Sequence, residues 1–190
     1  MHPDFGRDVT VIGDFVITPF FSEEGCDALL ELSDAFKDKY KKYDYTTDLS
    51  LWKVSYYFFE EYAQFMGKEV NDLLKDVFPC LCLVGAYSPF LVKQEVGEST
   101  QFHNDLSMIT ISLKLNTDYE GGEIIFPRQN FSNKNLPRGY ALFFPGDVTH
   151  PHYVTEVTKG VKHTLAGFTH PATDEPKGDG YSSLLFSRGG

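Results

Sequence analysis

From residue 81 onward the chain reads as a run of short strands, and this constrains the fold more than any other feature. Apolar, β-branched and aromatic stretches run from Leu81 to Tyr87, Phe90 to Gln94, Leu106 to Leu115, Gly122 to Phe126, Tyr140 to Phe144, Tyr153 to Val157 and Lys162 to Thr169. Gly, Pro, Asn and Asp fall between most of them, as turn formers should. Within Leu106 to Leu115 one face is Ile109, Ile111, Leu113 and Leu115, and the other is Met108, Thr110, Ser112 and Lys114. Side chains alternate along a strand, so this run suits a wall between an apolar core and a more polar pocket.

The first eighty residues read differently. Val9 to Thr18 predicts one or two strands broken at Gly13-Asp14. Ser22 is placed to cap a helix, with Glu23 and Glu24 in its first turn, where the helix dipole favours anions. Leu29, Leu32 and Phe36 keep helical spacing, in a helix drawn as far as Lys42. Tyr43 to Leu51 is polar and reads as a loop. Ser55 to Val77 carries a stripe of Phe58, Tyr62, Phe65, Met66, Val70 and Leu73, which predicts a second helix ended by Pro79. Helices followed by many strands predict a mainly β, helix-supported barrel or sandwich. The expected organisation is a single domain over 1–190, with helical support over 1–80, a barrel core over 81–170 and a Gly- and Ser-rich tail over 171–190.

Composition narrows the function classes. The 190 residues carry a formal net charge of -10, which disfavours nucleic acid as a partner. No apolar run is long enough to span a membrane. Met1 to Asp8 has no apolar segment of signal-peptide type, so a cytoplasmic location is expected. Cys26, Cys80 and Cys82 make an odd count without C-x-x-C spacing, which reads as free thiols in a reducing compartment.

Chemistry concentrates in two stretches. In Gln101-Phe102-His103-Asn104-Asp105 a His and an Asp sit two apart. On an extended chain they face one side, offering one imidazole and one carboxylate. Those are two of the three ligands of a two-His, one-carboxylate iron(II) site. The second stretch is Pro145-Gly146-Asp147-Val148-Thr149-His150-Pro151-His152, followed by a turn signal at Lys159-Gly160 and then Lys162. That spacing lets His152 and Lys162 face one pocket. Lys162 would serve there as a point charge for a carboxylate.

Three blocks in this order, His103-Asn104-Asp105, Asp118-Tyr119-Glu120-Gly121-Gly122-Glu123, and Pro145-Gly146 through Thr149-His150-Pro151-His152 to Thr158-Lys159-Gly160-Val161-Lys162, resemble the iron(II)- and 2-oxoglutarate-dependent oxygenases of prolyl and lysyl hydroxylase type. Weaker similarity reaches back to Phe20-Phe21 and Cys26-Asp27. The resemblance implies a double-stranded β-helix, the cupin-like jelly-roll barrel. It implies His103, Asp105 and His152 as metal ligands and Lys162 as the partner of the distal carboxylate of 2-oxoglutarate. Lysyl hydroxylases usually have Arg at that place and prolyl hydroxylases usually Lys. Gln94, three before Gly97, stands where the family usually has a Tyr that contacts the co-substrate. Thr164 lies one alternation past Lys162 and could help. Register with Gly160 and Lys162 favours His152 over His150 as the ligand. His163 is expected to point away from Lys162.

The implied activity is dioxygen-dependent hydroxylation of an amino-acid side chain, Pro or Lys in a peptide or protein, coupled to conversion of 2-oxoglutarate to succinate and carbon dioxide, with ascorbate as reductant. Asp118, Glu120 and Glu123, if near the barrel mouth, would steer a basic substrate. The alternatives are the same chemistry on a free amino acid or small metabolite, and a barrel that binds metal or ligand without turnover. Lysyl hydroxylases tend to pair through this domain, so the resemblance leaves a homodimer open, with the tail after Pro171 as its arm.

Overall fold

The computed structural model describes residues 2–42, 47–50, 72–73, 76 and 84–171. The order is β1 (Thr10–Ile12), β2 (Phe15–Pro19), α1 (Glu23–Ala35), a 3-10 turn (Lys37–Lys39), β3 (Lys41–Lys42), β4 (Thr47–Ser50), β5 (Val84–Gln94), β6 (Thr100–His103), β7 (Ile109–Lys114), β8 (Glu120–Gly121), β9 (Ile124–Phe126), β10 (Phe131–Ser132), β11 (Tyr140–Pro145), β12 (His152–Val154), β13 (Val157–Lys159) and β14 (Lys162–Pro171). Eight strands form one sheet in the order β1-β2-β11-β7-β14-β5-β4-β3. A four-stranded sheet follows the order β10-β9-β12-β6, and β13 pairs with β8. The pairings are antiparallel throughout. This is the jelly-roll arrangement, with one correction: the described sheets do not close into a barrel.

The alternation in β7 decides what each face of the large sheet does. Ile111 and Leu113 join Ala141, Phe143, Leu91 and Leu165 in a buried cluster with Cys26 and Leu29 of α1. That face is the floor under the helix. The opposite face of β11, Leu142 and Phe144, packs with Phe15 of β2 and with Ile124 and Phe126 of β9. A second core therefore sits between the two sheets, and Thr110, Ser112 and Lys114 share its side of β7. Lys162 and Gln94 are direct partners across β14 and β5, so their side chains share a face, and Thr164 follows two residues on.

Ser22 caps α1 as expected, its Oγ accepting from the Gly25 amide at 3.2 Å. The helix is shorter than its spacing predicts. It ends at Ala35, and the chain passes through the 3-10 turn into β3 at Lys41. Thr47–Ser50 is strand rather than loop, because β5 offers it a partner edge. Polar residues are tolerated there, between β5 and β3, because tertiary pairing overrides local composition. From Val84 on, the two runs predicted between Leu81 and Gln94 are one continuous β5, with Pro89 inside it; residues 81–83 lie outside the described residues. Of the second predicted helix only Asp72, Leu73 and Asp76 are described, and they are helical. Its remainder, Cys80, Cys82 and the tail after Pro171 lie outside the described residues. Cys26 is buried and free. Among the described residues no helix is long and apolar enough to cross a membrane.

A candidate metal centre between the sheets

His103 and Asp105 meet by a different route from the one their spacing predicts. His103 is the last residue of β6, whereas Asp105 lies beyond the strand. The carboxylate is brought round by backbone, the Asp105 amide donating to the Gly146 carbonyl at 2.8 Å. The third group arrives by sheet register, with His152 opening β12 directly opposite His103. The result is compact. His103 Nε2 lies 3.3 Å from Asp105 Oδ1, His152 Nε2 lies 3.8 Å from Asp105 Oδ2, and the three donor atoms are all within 4.8 Å of one another. Asp105 and His152 are buried; His103 is partly exposed.

Both imidazoles are held in one tautomer. His103 Nδ1 is 2.7 Å from the Gln101 carbonyl oxygen, and His152 Nδ1 is 3.0 Å from that of His150. A carbonyl only accepts, so each Nδ1 carries the proton and each Nε2 presents a lone pair to the cluster. Asp105 Oδ2 accepts from the Thr110 hydroxyl at 2.7 Å, which turns the carboxylate towards the imidazoles. A second proton on His103 Nε2 would be donated to Asp105, which raises the His103 pKa, whereas burial lowers that of His152; a bound metal would take the place of that proton. Two neutral imidazoles and a carboxylate, each oriented by a further hydrogen bond, fit a divalent iron with positions left for other ligands.

Gly146 is the close contact that allows this. A Cβ there would stand 2.6 Å from Thr110 Oγ1 and 2.7 Å from the Ser107 carbonyl oxygen. In the sequence Gly146 stands out only as part of the third block, with no role of its own. Thr110 was legible only as a polar position on an alternating strand.

Lys162 is 4% exposed, and its Nζ donates to Gln94 Oε1 at 3.0 Å. Gln94 Nε2 in turn donates to Thr100 Oγ1 at 3.3 Å. Among the described residues no carboxylate pairs with this ammonium. Burial, and secondarily the charge of Lys114, hold its pKa down to about 7. With one neutral acceptor among the described residues, this buried ammonium has two N–H groups that could meet an anion. Gly122, at φ +65°, makes room for the lysine stem, since a Cβ there would meet Lys162 Cδ at 2.9 Å. Thr164 is buried on the same face.

The other candidates separate cleanly. His150 is buried but stands outside the three-residue cluster. His163 lies across the sheet, its Nδ1 3.5 Å from Ser33 Oγ of α1. The His170 side chain lies outside those described. The acids meant to steer a basic substrate are engaged locally. Asp118 accepts from Asn116, Glu120 pairs with Lys159 at 2.7 Å, and Glu123 pairs with Lys134 at 3.2 Å.

No family model matches the chain. The chain is 29% identical over 171 residues to procollagen-lysine,2-oxoglutarate 5-dioxygenase 1 of Rattus norvegicus, and 29% identical over 177 residues to a multifunctional procollagen lysine hydroxylase and glycosyltransferase of Caenorhabditis elegans. Each alignment covers 80% of this chain and 23% of the relative, so the chain spans under a quarter of these proteins' length. In fold it is similar to a Pseudomonas putida prolyl-4-hydroxylase, with TM-score 0.65 and 14% identity, covering 84% of this chain and 94% of that one. A viral collagen prolyl hydroxylase from Paramecium Bursaria Chlorella virus-1, solved as a 2OG complex, gives TM-score 0.63 and 15% identity over 84% of this chain and 97% of that one. The chain is thus similar in sequence to procollagen lysyl hydroxylases and similar in fold to prolyl hydroxylases.

Proposed function

We propose that the chain is an iron(II)- and 2-oxoglutarate-dependent dioxygenase that hydroxylates an amino-acid side chain, Pro or Lys in a peptide or protein. The observation that carries this is the convergence of His103, Asp105 and His152, with donor atoms within 4.8 Å of one another. The identity to procollagen lysyl hydroxylases supports the same reading. So does the likeness in fold to prolyl hydroxylases, one of them, from Trichoplax adhaerens, in complex with a hypoxia inducible factor peptide fragment.

In this reading His103 Nε2, His152 Nε2 and an Asp105 oxygen hold the iron. Iron with 2-oxoglutarate and dioxygen supplies the oxidising power for C–H hydroxylation. The chain's own residues do the rest. The Gln101 and His150 carbonyls keep both ligand lone pairs aimed inward. Thr110 fixes the carboxylate. Lys162 grips the distal carboxylate of the co-substrate through the two N–H groups that Gln94 leaves free, and Thr164 lines the same face. Phe126 and Phe144, with ring centroids 5.0 and 5.2 Å from that of His152, exclude water from that side.

The test is incubation with iron(II), ascorbate and 2-oxoglutarate against Pro- and Lys-containing peptides. Succinate above the substrate-free control, with a peptide heavier by one oxygen, is expected. No peptide-dependent succinate from either set would overturn the substrate reading.

A further inference from the structure

The segment 146–151 is held from both sides. Arg128 Nη1 donates to the Val148 carbonyl at 3.0 Å and Gln129 Nε2 to the Thr149 carbonyl at 2.8 Å. The next carbonyl, that of His150, accepts from His152 Nδ1 at 3.0 Å. Three successive carbonyls are thus each fixed by a side chain, and the third is the one that orients a metal ligand.

The His150 side chain has no part in the cluster, yet it is 1% exposed. Its Nδ1 is 2.8 Å from Thr149 Oγ1, and its Nε2 has no hydrogen-bond partner among the described residues. The nearest acid, Asp14, lies 3.9 Å away. A buried ring nitrogen left unpaired costs free energy. The ring is kept in place by packing: it meets Phe15 edge-on with centroids 5.2 Å apart and Phe126 at 6.3 Å. Phe126 is also the ring beside His152, at 5.0 Å. The two histidines therefore sit against one aromatic group, two residues apart, with the carbonyl of the first bonded to the ring of the second.

We propose that His150 is a positioning residue: its ring, packed against the Phe15–Phe126 pair, holds the peptide carbonyl that orients His152 and so aims the His152 Nε2 lone pair at the metal. The side chain does not touch the metal and does not need to. Emptying its seat lets the carbonyl swing, and the His152 ring then loses both its fixed tautomer and its fixed angle. The inference rests on the metal-centre reading above.

Cobalt(II) serves as the probe, because its absorption reports ligand geometry and needs no turnover. The full chain is titrated as wild type, His150→Ala and His150→Phe. His150→Ala is expected to bind cobalt(II) about tenfold to a hundredfold more weakly, the range for groups that orient a ligand, with a changed ligand-field spectrum. His150→Phe refills the seat and removes the unpaired nitrogen, so it is expected to restore affinity to within a fewfold and to restore the spectrum. Should His150→Ala fail to fold, His150→Leu takes its place with the same expectation. Wild-type affinity and spectrum in the aliphatic variants would overturn the proposal, as would a Phe variant as weak as Ala. Wild-type protein that binds no cobalt(II) would instead overturn the metal centre itself, a result visible without any variant.

Discussion

Lys162 Nζ and Gln94 Oε1 lie 3.0 Å apart on paired residues of β14 and β5, buried between the sheets. The neutral amide satisfies one N–H of the ammonium without cancelling its charge. On the proposed function, Gln94 would hold the cation for an incoming carboxylate without competing with it.

The titration of Lys162 gives that site a pH dependence. Its folded pKa is lowered from 10.5 to about 7, chiefly by burial. Only the ammonium attracts the anion, so KM for 2-oxoglutarate, read from steady-state kinetics, is expected to be flat below about pH 7 and to rise by about tenfold per unit above it. Stability of the unliganded protein runs the other way. The unfolded chain binds more protons between about 7 and 10.5, so the Lys162 contribution is full above 10.5 and is lost as pH falls through 7. Chemical unfolding across this range checks it, and Lys162→Met is expected to lose the dependence.

Gln94→Glu puts a carboxylate beside the ammonium. The resulting internal ion pair competes with the co-substrate, and KM for 2-oxoglutarate is expected to rise by about tenfold or more, with metal affinity unchanged. A buried paired charge is hard for a ligand to displace. Steady-state kinetics at saturating peptide would show it.

Thr110→Val removes the hydroxyl that donates to Asp105 Oδ2 while keeping the shape. Partners of metal ligands are typically worth about tenfold to a hundredfold in affinity or activity. Metal titration of the variant should show a loss in that range, with a thermal midpoint close to wild type.

Gly146→Ala should act through packing. Its Cβ would press on Thr110 Oγ1 at 2.6 Å and on the Ser107 backbone at 2.7 Å. The backbone cannot yield locally, so a loss of about 1–3 kcal/mol is expected from denaturant unfolding. The Asp105 amide bond to the Gly146 carbonyl would be disturbed with it, lowering metal affinity as well.

The strands, the cap at Ser22 and the two-faced character of β7 were legible because each is a local pattern. His103, Asp105, His152 and Lys162 were legible through motif spacing. The route by which they meet was not. Period two puts His103 and Asp105 on one strand face, whereas the structure ends the strand at His103 and places Asp105 through Gly146, forty-one positions along the chain. The polar strand at Thr47–Ser50 was hidden for the same reason, since its partner edge on β5 is supplied by tertiary structure. Asp118, Glu120 and Glu123 read as a steering patch, but their local partners only become visible in three dimensions. Gln94 stood out as a departure from the family pattern; that it bonds Lys162 follows from sheet register.

The proposed centre binds one metal and one dicarboxylate side by side between the sheets. Its most direct test is an anaerobic titration of the iron(II)-loaded protein with 2-oxoglutarate, in wild type, Asp105→Ala and Lys162→Ala. One saturable equivalent is predicted for wild type, no iron retained in Asp105→Ala, and iron retained with 2-oxoglutarate affinity lost in Lys162→Ala. Iron binding that survives loss of Asp105, or 2-oxoglutarate binding indifferent to Lys162, would contradict it.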